Sequence, residues 1–115
     1  MNMVVLEVAE VETALARAAK TMEAGAADQE ARLTFATPEL LWAVLGAKRW
    51  ELLKVMCGAG AMSIREAARR AGRDVKAVHR DVTALLRAGV VVRTAEGRVL
   101  FPYDAIRVEF VLRAA

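Results

Sequence analysis

Arginine and lysine are concentrated in the second half of the chain. Residues 63–98 contain nine Arg and Lys against four Asp and Glu, whereas residues 1–62 contain six against eight. The net charge of +3 is therefore unevenly distributed. Because clustered cations neutralise phosphate groups, this pattern favours a nucleic acid as the partner of residues 63–98.

Residues suited to catalysis or metal binding are few. The sequence has one His, His79, and one Cys, Cys57, and it contains no phosphate-binding glycine loop and no paired-carboxylate motif. These two side chains cannot supply an acid, a base and a nucleophile, nor the four ligands of a structural zinc site. We therefore expect no enzyme activity, no metal and no cofactor, and we expect Cys57 to be a small buried apolar residue.

Length and composition indicate one domain with short appendages. The 115 residues are 57% hydrophobic and 27% charged, which is typical of an ordered globular chain. No apolar run approaches the ~18 residues needed to span a bilayer, and the N-terminus is acidic where a secretory signal would be basic. We expect a cytoplasmic protein without membrane contact.

Two helices separated by a tight turn are predicted in residues 63–88. Ser63 and Glu66 form a capping-box pattern, in which each side chain accepts a backbone N–H of the other residue. Gly72 suits the turn, and Asp74 is placed to cap the second helix. The apolar positions of that helix repeat at helical spacing: Val75, Val78, Val82, Leu85 and Leu86.

A β-hairpin is predicted directly after these helices. The β-rich runs 90–93 and 98–101 flank a turn in which Gly97 can adopt a positive φ. A capped helix, a tight turn, a longer helix and a hairpin are typical of a winged helix-turn-helix. In that fold the longer helix enters the major groove of DNA and the hairpin contacts the flanking backbone or the minor groove.

Roles for the polar residues follow from these positions. The first turns of the longer helix lie closest to base edges, where an arginine can donate two hydrogen bonds to guanine and an alanine methyl can pack on thymine. The predicted base-facing residues are Arg73, Lys76, Ala77 and Arg80, of which Arg80 is the leading candidate. The predicted phosphate and wing contacts are Ser63, Arg65, Arg69, Arg70, His79, Thr83, Arg93 and Arg98.

Each of these cations has an alternative role as a solvated surface residue or as one member of an ion pair. Asp81 lies beside Arg80, where its carboxylate would repel phosphate. We expect Asp81 to pair instead with Arg69, Arg70 or Arg65 and to hold the two helices together. His79 is either a pH-sensitive phosphate contact or simply a polar residue at the edge of the basic face.

The rest of the chain is predicted to flank this unit with strands and helices. The N-terminal helix is expected to end at Gly25, and the final strand to direct Ile106, Val108, Phe110 and Leu112 to one face. Trp42 and Trp50 are expected to be core anchors. The remaining predictions are strands at 3–8, 33–35 and 105–112, helices at 9–24, 38–45 and 47–56, and a helical apolar stripe of Val8, Val11, Leu15, Ala18, Ala19 and Met22.

The predicted fold class is α+β and mostly helical. It consists of a winged helix-turn-helix at residues 37–115, including the C-terminal strand, and an N-terminal strand-helix-strand extension at residues 1–36. The extension is expected to contact a second copy or a partner.

Residues 63–112 resemble the MarR-like DNA-binding proteins of archaea and bacteria, many of which are regarded as antitoxins of two-gene toxin–antitoxin systems. Residues 41–56 are similar to the first helix of that family, and residues 1–30 resemble it only loosely. The residues that carry the resemblance are Ser63-Ile64-Arg65-Glu66, Gly72-Arg73-Asp74, Val78, Arg80-Asp81-Val82, Leu85, Gly89, Gly97-Arg98 and Pro102-Tyr103-Asp104.

The resemblance implies a homodimeric repressor of its own operon that binds double-stranded operator DNA. The resemblance also implies that the protein is an antitoxin that neutralises a partner toxin protein. Two alternatives stay open: a ligand-responsive repressor without a toxin partner, and a winged helix used only for protein–protein interaction.

Overall fold

The computed structural model describes residues 2–24, 31–112 and 114. The described residues form five helices and five strands, so the chain is α+β, as predicted, and about half of the described residues are helical. Gly25, predicted to end the first helix, and residues 26–30 lie outside the described residues. The small and polar residues predict a loop over 26–32, which is wrong at its end because Ala31 and Arg32 belong to a strand. The elements in chain order are β1 (Met3–Val8), α1 (Val11–Ala24), β2 (Ala31–Phe35), α2 (Pro38–Val44), α3 (Ala47–Met56), α4 (Ile64–Ala71), α5 (Val75–Ala88), β3 (Val92–Arg93), β4 (Val99–Leu100) and β5 (Ala105–Glu109).

A parallel sheet joins the two ends of the chain. Its strand order is β2-β1-β5, and Val5 of β1 lies in register with both Arg32 and Arg107. Parallel neighbours need crossover connections, and here α1 links β1 to β2 while α2 through β4 link β2 to β5. The sheet therefore includes residues on both sides of the boundary predicted at residue 36.

The central strand β1 is buried on both faces. Val4 and Leu6 face the main hydrophobic core, which also contains Leu41, Leu52 and Val82. Because side chains alternate along a strand, the other face of β1 carries Val5 and Glu7. The two crossovers consequently cover opposite faces of the sheet, with α1 on the face of Glu7.

Glu7 is a buried carboxylate with three partners. It accepts hydrogen bonds from Arg17 of α1, from Arg32 of β2 at 2.7 Å and from Thr34 of β2 at 3.2 Å. A buried charge is tolerated only when it is paired and hydrogen-bonded, and this cluster meets that condition. It fixes α1 against the sheet.

Three predicted helix starts are confirmed by their caps. The hydroxyl of Thr37 accepts the N–H of Leu40 at 3.1 Å. Ser63 Oγ accepts the N–H of Glu66 at 3.0 Å, and Asp74 accepts that of Ala77 at 3.2 Å. Each cap satisfies an amide that has no partner within its own helix.

The ends of α4 and α5 are also as predicted, since Gly72 (φ 66°) and Gly89 (φ 81°) occupy the left-handed region that favours glycine. The prediction that the Glu66 side chain accepts the backbone N–H of Ser63 is wrong. The Glu66 carboxylate binds Arg69 and Arg70 rather than the backbone of Ser63.

The prediction that both tryptophans are core anchors is wrong. Trp42 is 55% exposed and Trp50 is 37% exposed. Leu41 and Leu53 occupy the inward positions beside them, so the indole rings lie at the surface of α2 and α3. Trp42 makes an edge-to-face contact with Phe110, with ring centroids 5.4 Å apart.

The ends of the chain differ from prediction in two further respects. Three residues of the predicted apolar stripe, Leu15, Ala18 and Ala19, are exposed, whereas Ala14 and Arg17 are half-buried. The last strand ends at Glu109, and Phe110 and Leu112 are exposed beyond it. Cys57, expected to be buried, is half-buried, and its thiol donates to the carbonyl of Asp104 at 3.2 Å.

Candidate nucleic-acid interface

The longer helix α5 has a buried face and an opposite polar face. Val78, Val82 and Leu85 are fully buried in the core. At 100° per residue, the opposite side of the helix carries four polar residues within an arc of roughly 60°. This stripe, called here the α5 stripe, consists of Lys76, Arg80, Thr83 and Arg87.

The cations of the α5 stripe project into solvent. Lys76, Arg80 and Arg87 are exposed, and none of them takes part in an ion pair with another described residue. Thr83 differs, because its hydroxyl donates to the carbonyl of His79 one turn earlier at 2.8 Å. The stripe thus offers three exposed cations and one hydroxyl whose proton is already donated to a backbone carbonyl.

The two other predicted α5 contacts flank the stripe. His79 is exposed on its edge, and Ala77 is half-buried in the first turn. The methyl of Ala77 therefore remains partly accessible for an apolar contact. The N–H of Ala77 is used by the Asp74 cap, so it cannot bind phosphate as well.

On α4, Glu66 binds two of the predicted phosphate contacts. Arg69 donates to both of its oxygens, at 2.7 and 2.6 Å, and Arg70 donates at 2.8 Å. Hydrogen bonds from Arg69 first and Arg70 second lower the pKa of Glu66 to about 2. The carboxylate thus stays ionised near neutral pH and offsets part of the positive charge of α4. Arg65 is exposed and forms no ion pair with the described residues.

Asp81 lies on the flank of α5, and its predicted partners are wrong. Its carboxylate binds Arg49 Nε at 3.0 Å and Arg73 Nη2 at 2.8 Å rather than any arginine of α4. Arg49 also donates to the carbonyls of Ala43 and Val44 at 2.9 and 3.1 Å. The Asp81 cluster, formed by Asp81, Arg49 and Arg73, consequently ties α5 to the junction of α2 and α3.

Electrostatics within the Asp81 cluster favour the ionised carboxylate. Burial alone would raise the pKa of Asp81, but hydrogen bonds from Arg73 and Arg49 outweigh this effect and lower it below the ordinary value. Arg73 is only 19% exposed, and its Nη1 is buried with no hydrogen-bond partner among the described residues. Arg73, predicted to face bases, is therefore held against α5 and does not project from the helix as Arg80 does.

Sequence reasoning missed Arg49 as part of this arrangement. Arg49 and Asp81 are 32 residues apart, and no periodic pattern relates them. The signal that could have suggested the pair is local: Arg49 stands in the first turn of α3, where an arginine has no favourable dipole interaction and needs a partner.

The β3–β4 hairpin lies beside α4. The backbones of Met62 and Val99 exchange two hydrogen bonds, of 2.9 and 2.8 Å, which join the start of α4 to the hairpin. Gly97 has φ 81°, and Arg98 donates its N–H to Thr94 Oγ1 at 3.1 Å. This pairing fixes the hairpin relative to the two helices.

The two hairpin arginines behave differently. Arg93 folds back and donates to the carbonyl of Gly97 at 3.2 Å, while the side chain of Arg98 is exposed and makes no hydrogen bond with described residues. Glu96 is exposed in the same turn and would oppose phosphate. Arg98 is thus the hairpin cation most available to a ligand.

The described part of the chain offers no cluster of three or more His, Cys, Asp or Glu side chains for a metal ion. No helix among the described residues is long and apolar enough to cross a bilayer.

The family model HVO_A0114 matches residues 44–108, more than half of the chain. The chain belongs to the HVO_A0114 family. The HVO_A0114 match runs from the end of α2 into β5, so it includes the α5 stripe, the Asp81 cluster and the β3–β4 hairpin. No curated protein and no solved structure matches the chain.

Proposed function

We propose that the protein is a sequence-specific regulator of transcription that binds double-stranded DNA through a winged helix-turn-helix. In this proposal α4 and α5 are the two helices of the motif, α5 is the recognition helix, and the β3–β4 hairpin is the wing. The observation that carries the proposal is the α5 stripe, in which three cations without ion-pair partners among the described residues lie opposite the buried face of a capped helix.

Arg80 is the proposed base-reading residue. It is exposed in the second turn of α5, and a guanidinium can donate two hydrogen bonds to guanine O6 and N7. Lys76, one turn earlier, shares this face. Arg65 and Arg98 are proposed phosphate contacts, because both are exposed cations on the elements that flank α5.

Arg73 is assigned a positioning role. Its ion pair with Asp81, together with the Arg49 bond, fixes the orientation of α5 relative to α3. Removing Arg73 would therefore change DNA binding by displacing α5, while removing Arg80 would change it by loss of a direct contact.

The biological role follows from the resemblance to MarR-like proteins: repression of the protein's own operon, with antitoxin activity toward a partner toxin as an extension. One feature supports a protein partner. The outer face of α1 exposes Leu15, with Ala18 and Ala19 on the same side. An exposed apolar helix face of this kind favours burial against another protein.

A salt titration of DNA binding tests the proposal. The Lys76→Ala/Arg80→Ala variant is compared with the wild type on duplex DNA from the region upstream of the gene and on a scrambled duplex. Lys54→Ala is the matched control, because Lys54 is an exposed cation on α3 away from the α5 stripe. Fluorescence anisotropy from 50 to 300 mM salt gives the affinity and its salt dependence.

We expect the wild type to prefer the upstream duplex and to lose affinity steeply with salt. The double variant should bind at least 10-fold more weakly, lose most of the preference, and show a log–log salt slope smaller by about 1 to 2. The Lys54→Ala control should match the wild type. Absence of duplex binding by the wild type at 50 mM salt would refute the proposal and favour a winged helix that binds only protein.

A further inference from the structure

The strand β5 forms one edge of the parallel sheet. Its inner side pairs with β1, and no described strand covers its outer side. The outward N–H and C=O groups of an edge strand can pair with another strand. Proteins commonly prevent this with charged side chains or prolines along the edge; β5 (Ala105–Glu109) has no Pro, and its two charges, one Arg and one Glu, are opposite in sign.

Apolar side chains extend this edge on one face of the sheet. Ile106 and Val108 are half-buried on the core side, Phe110 follows on the same side at 40% exposure, and Trp42 stacks edge-on against Phe110. Next to them, an open cavity of about 370 Å³ is lined by Trp42, Trp50 and Val108, among others. A strand added beside β5 would cover this apolar group.

The charges of β5 are self-complementary. We propose that two copies of the chain associate by antiparallel pairing of their β5 edges, about a two-fold axis through Val108. In that register Arg107 of each copy lies opposite Glu109 of the other, and Ile106 lies opposite Phe110. The pairing would join two three-stranded sheets into one continuous sheet of six strands.

Symmetry and charge together select this register. A two-fold axis perpendicular to the sheet keeps the apolar faces of both copies on the same side. In antiparallel pairing such an axis lies between the two copies of one residue, so that residue pairs with its own copy. An axis through Arg107 would oppose two arginines, and an axis through Glu109 would oppose two glutamates. Only the axis through Val108 pairs both charges with opposite charges and aligns the apolar side chains.

The other edge of the sheet lacks this property. β2 (Ala31–Phe35) carries one charged side chain, Arg32, and no carboxylate, so two β2 edges cannot form an ion pair with each other. Antiparallel pairing of two β2 edges through Leu33 would place Arg32 opposite Thr34. The structure therefore favours β5 over β2 as the self-association edge.

Charge-reversal variants test the proposal by complementation between chains. Arg107→Glu leaves two glutamates on the edge, and Glu109→Arg leaves two arginines, so each variant alone opposes like charges at both pairs. Within one chain Arg107 also binds Glu109 at 2.6 Å, and neither variant can restore that contact. In an equimolar mixture, however, both cross-chain pairs become attractive again.

Sedimentation velocity at 5 to 100 µM protein measures the oligomeric state, with circular dichroism to confirm that each variant is folded. We expect a wild-type dimer, a dimer dissociation constant at least 10-fold higher for each variant, and a heterodimer in the mixture. Arg87→Glu, a charge reversal on the α5 stripe, should dimerise like the wild type. A monomeric wild type, two variants that still dimerise, or a mixture no tighter than either variant would overturn the proposal.

Cross-linking provides a second measurement if either charge variant fails to fold. Val108→Cys places a cysteine on the proposed axis, so mild oxidation should yield a disulfide-linked dimer. Arg87→Cys on the α5 stripe is the control, and Cys57 is present in both proteins. Equal cross-linking in the two would contradict the β5 interface. Neither experiment involves DNA, so this proposal and the proposed function can fail independently.

Discussion

Replacing Asp81 by Asn would test whether the Asp81 cluster stabilises the orientation of α5. The substitution keeps the side-chain volume and one acceptor oxygen but removes the negative charge that binds Arg49 and Arg73. The three side chains are 13 to 22% exposed, so the two guanidinium groups would keep part of their desolvation cost without compensation. A hydrogen bond to a charged group contributes about 1.5–3 kcal/mol, and one weakened contact is retained, so we expect a loss of about 2 kcal/mol in the free energy of unfolding.

The pH dependence of this loss has a definite sign. The pKa of Asp81 is lowered in the folded protein, so its contribution is complete above the unfolded pKa of about 4 and is lost as the pH falls through the lower folded value. The difference between the wild type and Asp81→Asn should therefore be constant between pH 6 and 8 and should shrink below pH 4.

Urea denaturation followed by tryptophan fluorescence at pH 7 and at pH 3 measures both effects. Glu51→Gln is the matched control, because Glu51 pairs with Lys54 at 3.3 Å but the two side chains are 64% and 60% exposed. Such an exposed pair contributes about 0.5 kcal/mol or less. A loss below 0.5 kcal/mol for Asp81→Asn at pH 7, or a loss of equal size at pH 3, would refute the reasoning.

Three further outcomes are expected. Gly89→Ala should lower the free energy of unfolding by about 1 kcal/mol, because φ is 81° while the added Cβ meets only Leu33 at an ordinary 3.8 Å; an unchanged urea midpoint would contradict this. Asp74→Ala should cost about 1 kcal/mol through loss of the α5 cap, measured in the same way, and Asp74→Ser should recover most of it. If the proposed DNA binding holds, Glu66→Gln should tighten it several-fold at low salt by releasing Arg69 and Arg70, whereas Glu51→Gln should not. An unchanged affinity would show that α4 is not part of the proposed interface.

Local signals predicted most of the elements. Helix caps act within three residues, so Ser63 and Asp74 could be assigned from sequence. The glycines that end α4 and α5 could be assigned as well, because the positive φ angle at a helix end favours glycine whatever its distant neighbours are. The order of strands and helices was predicted on the same basis. The exposed cations of α5 also followed from periodicity, since the apolar positions of an amphipathic helix determine which side chains remain outside.

Long-range pairings were not predictable in this way. The strand β1 pairs with residues at the far end of the chain, and nothing in MVVLEV specifies a parallel partner. The ion pairs of Asp81 depend on how α3 packs against α5, and the exposure of Trp42 depends on which neighbour fills the core. In the last two cases the alternative, an arginine of α4 or a buried tryptophan, was equally consistent with the sequence.

The position of β1 between β2 and β5 has a consequence for synthesis and folding. Asn2, which precedes β1, donates its N–H to Asp104, 102 residues later, and β1 pairs with β5. The strand β1 therefore gains its second neighbour only after the helices and the hairpin have been made. Contacts of such large sequence separation slow folding, and until they form the apolar edge of β1 stays open to other strands. On a ribosome this edge would be exposed until β5 emerges, so the sheet can be completed only after β5 has been synthesised.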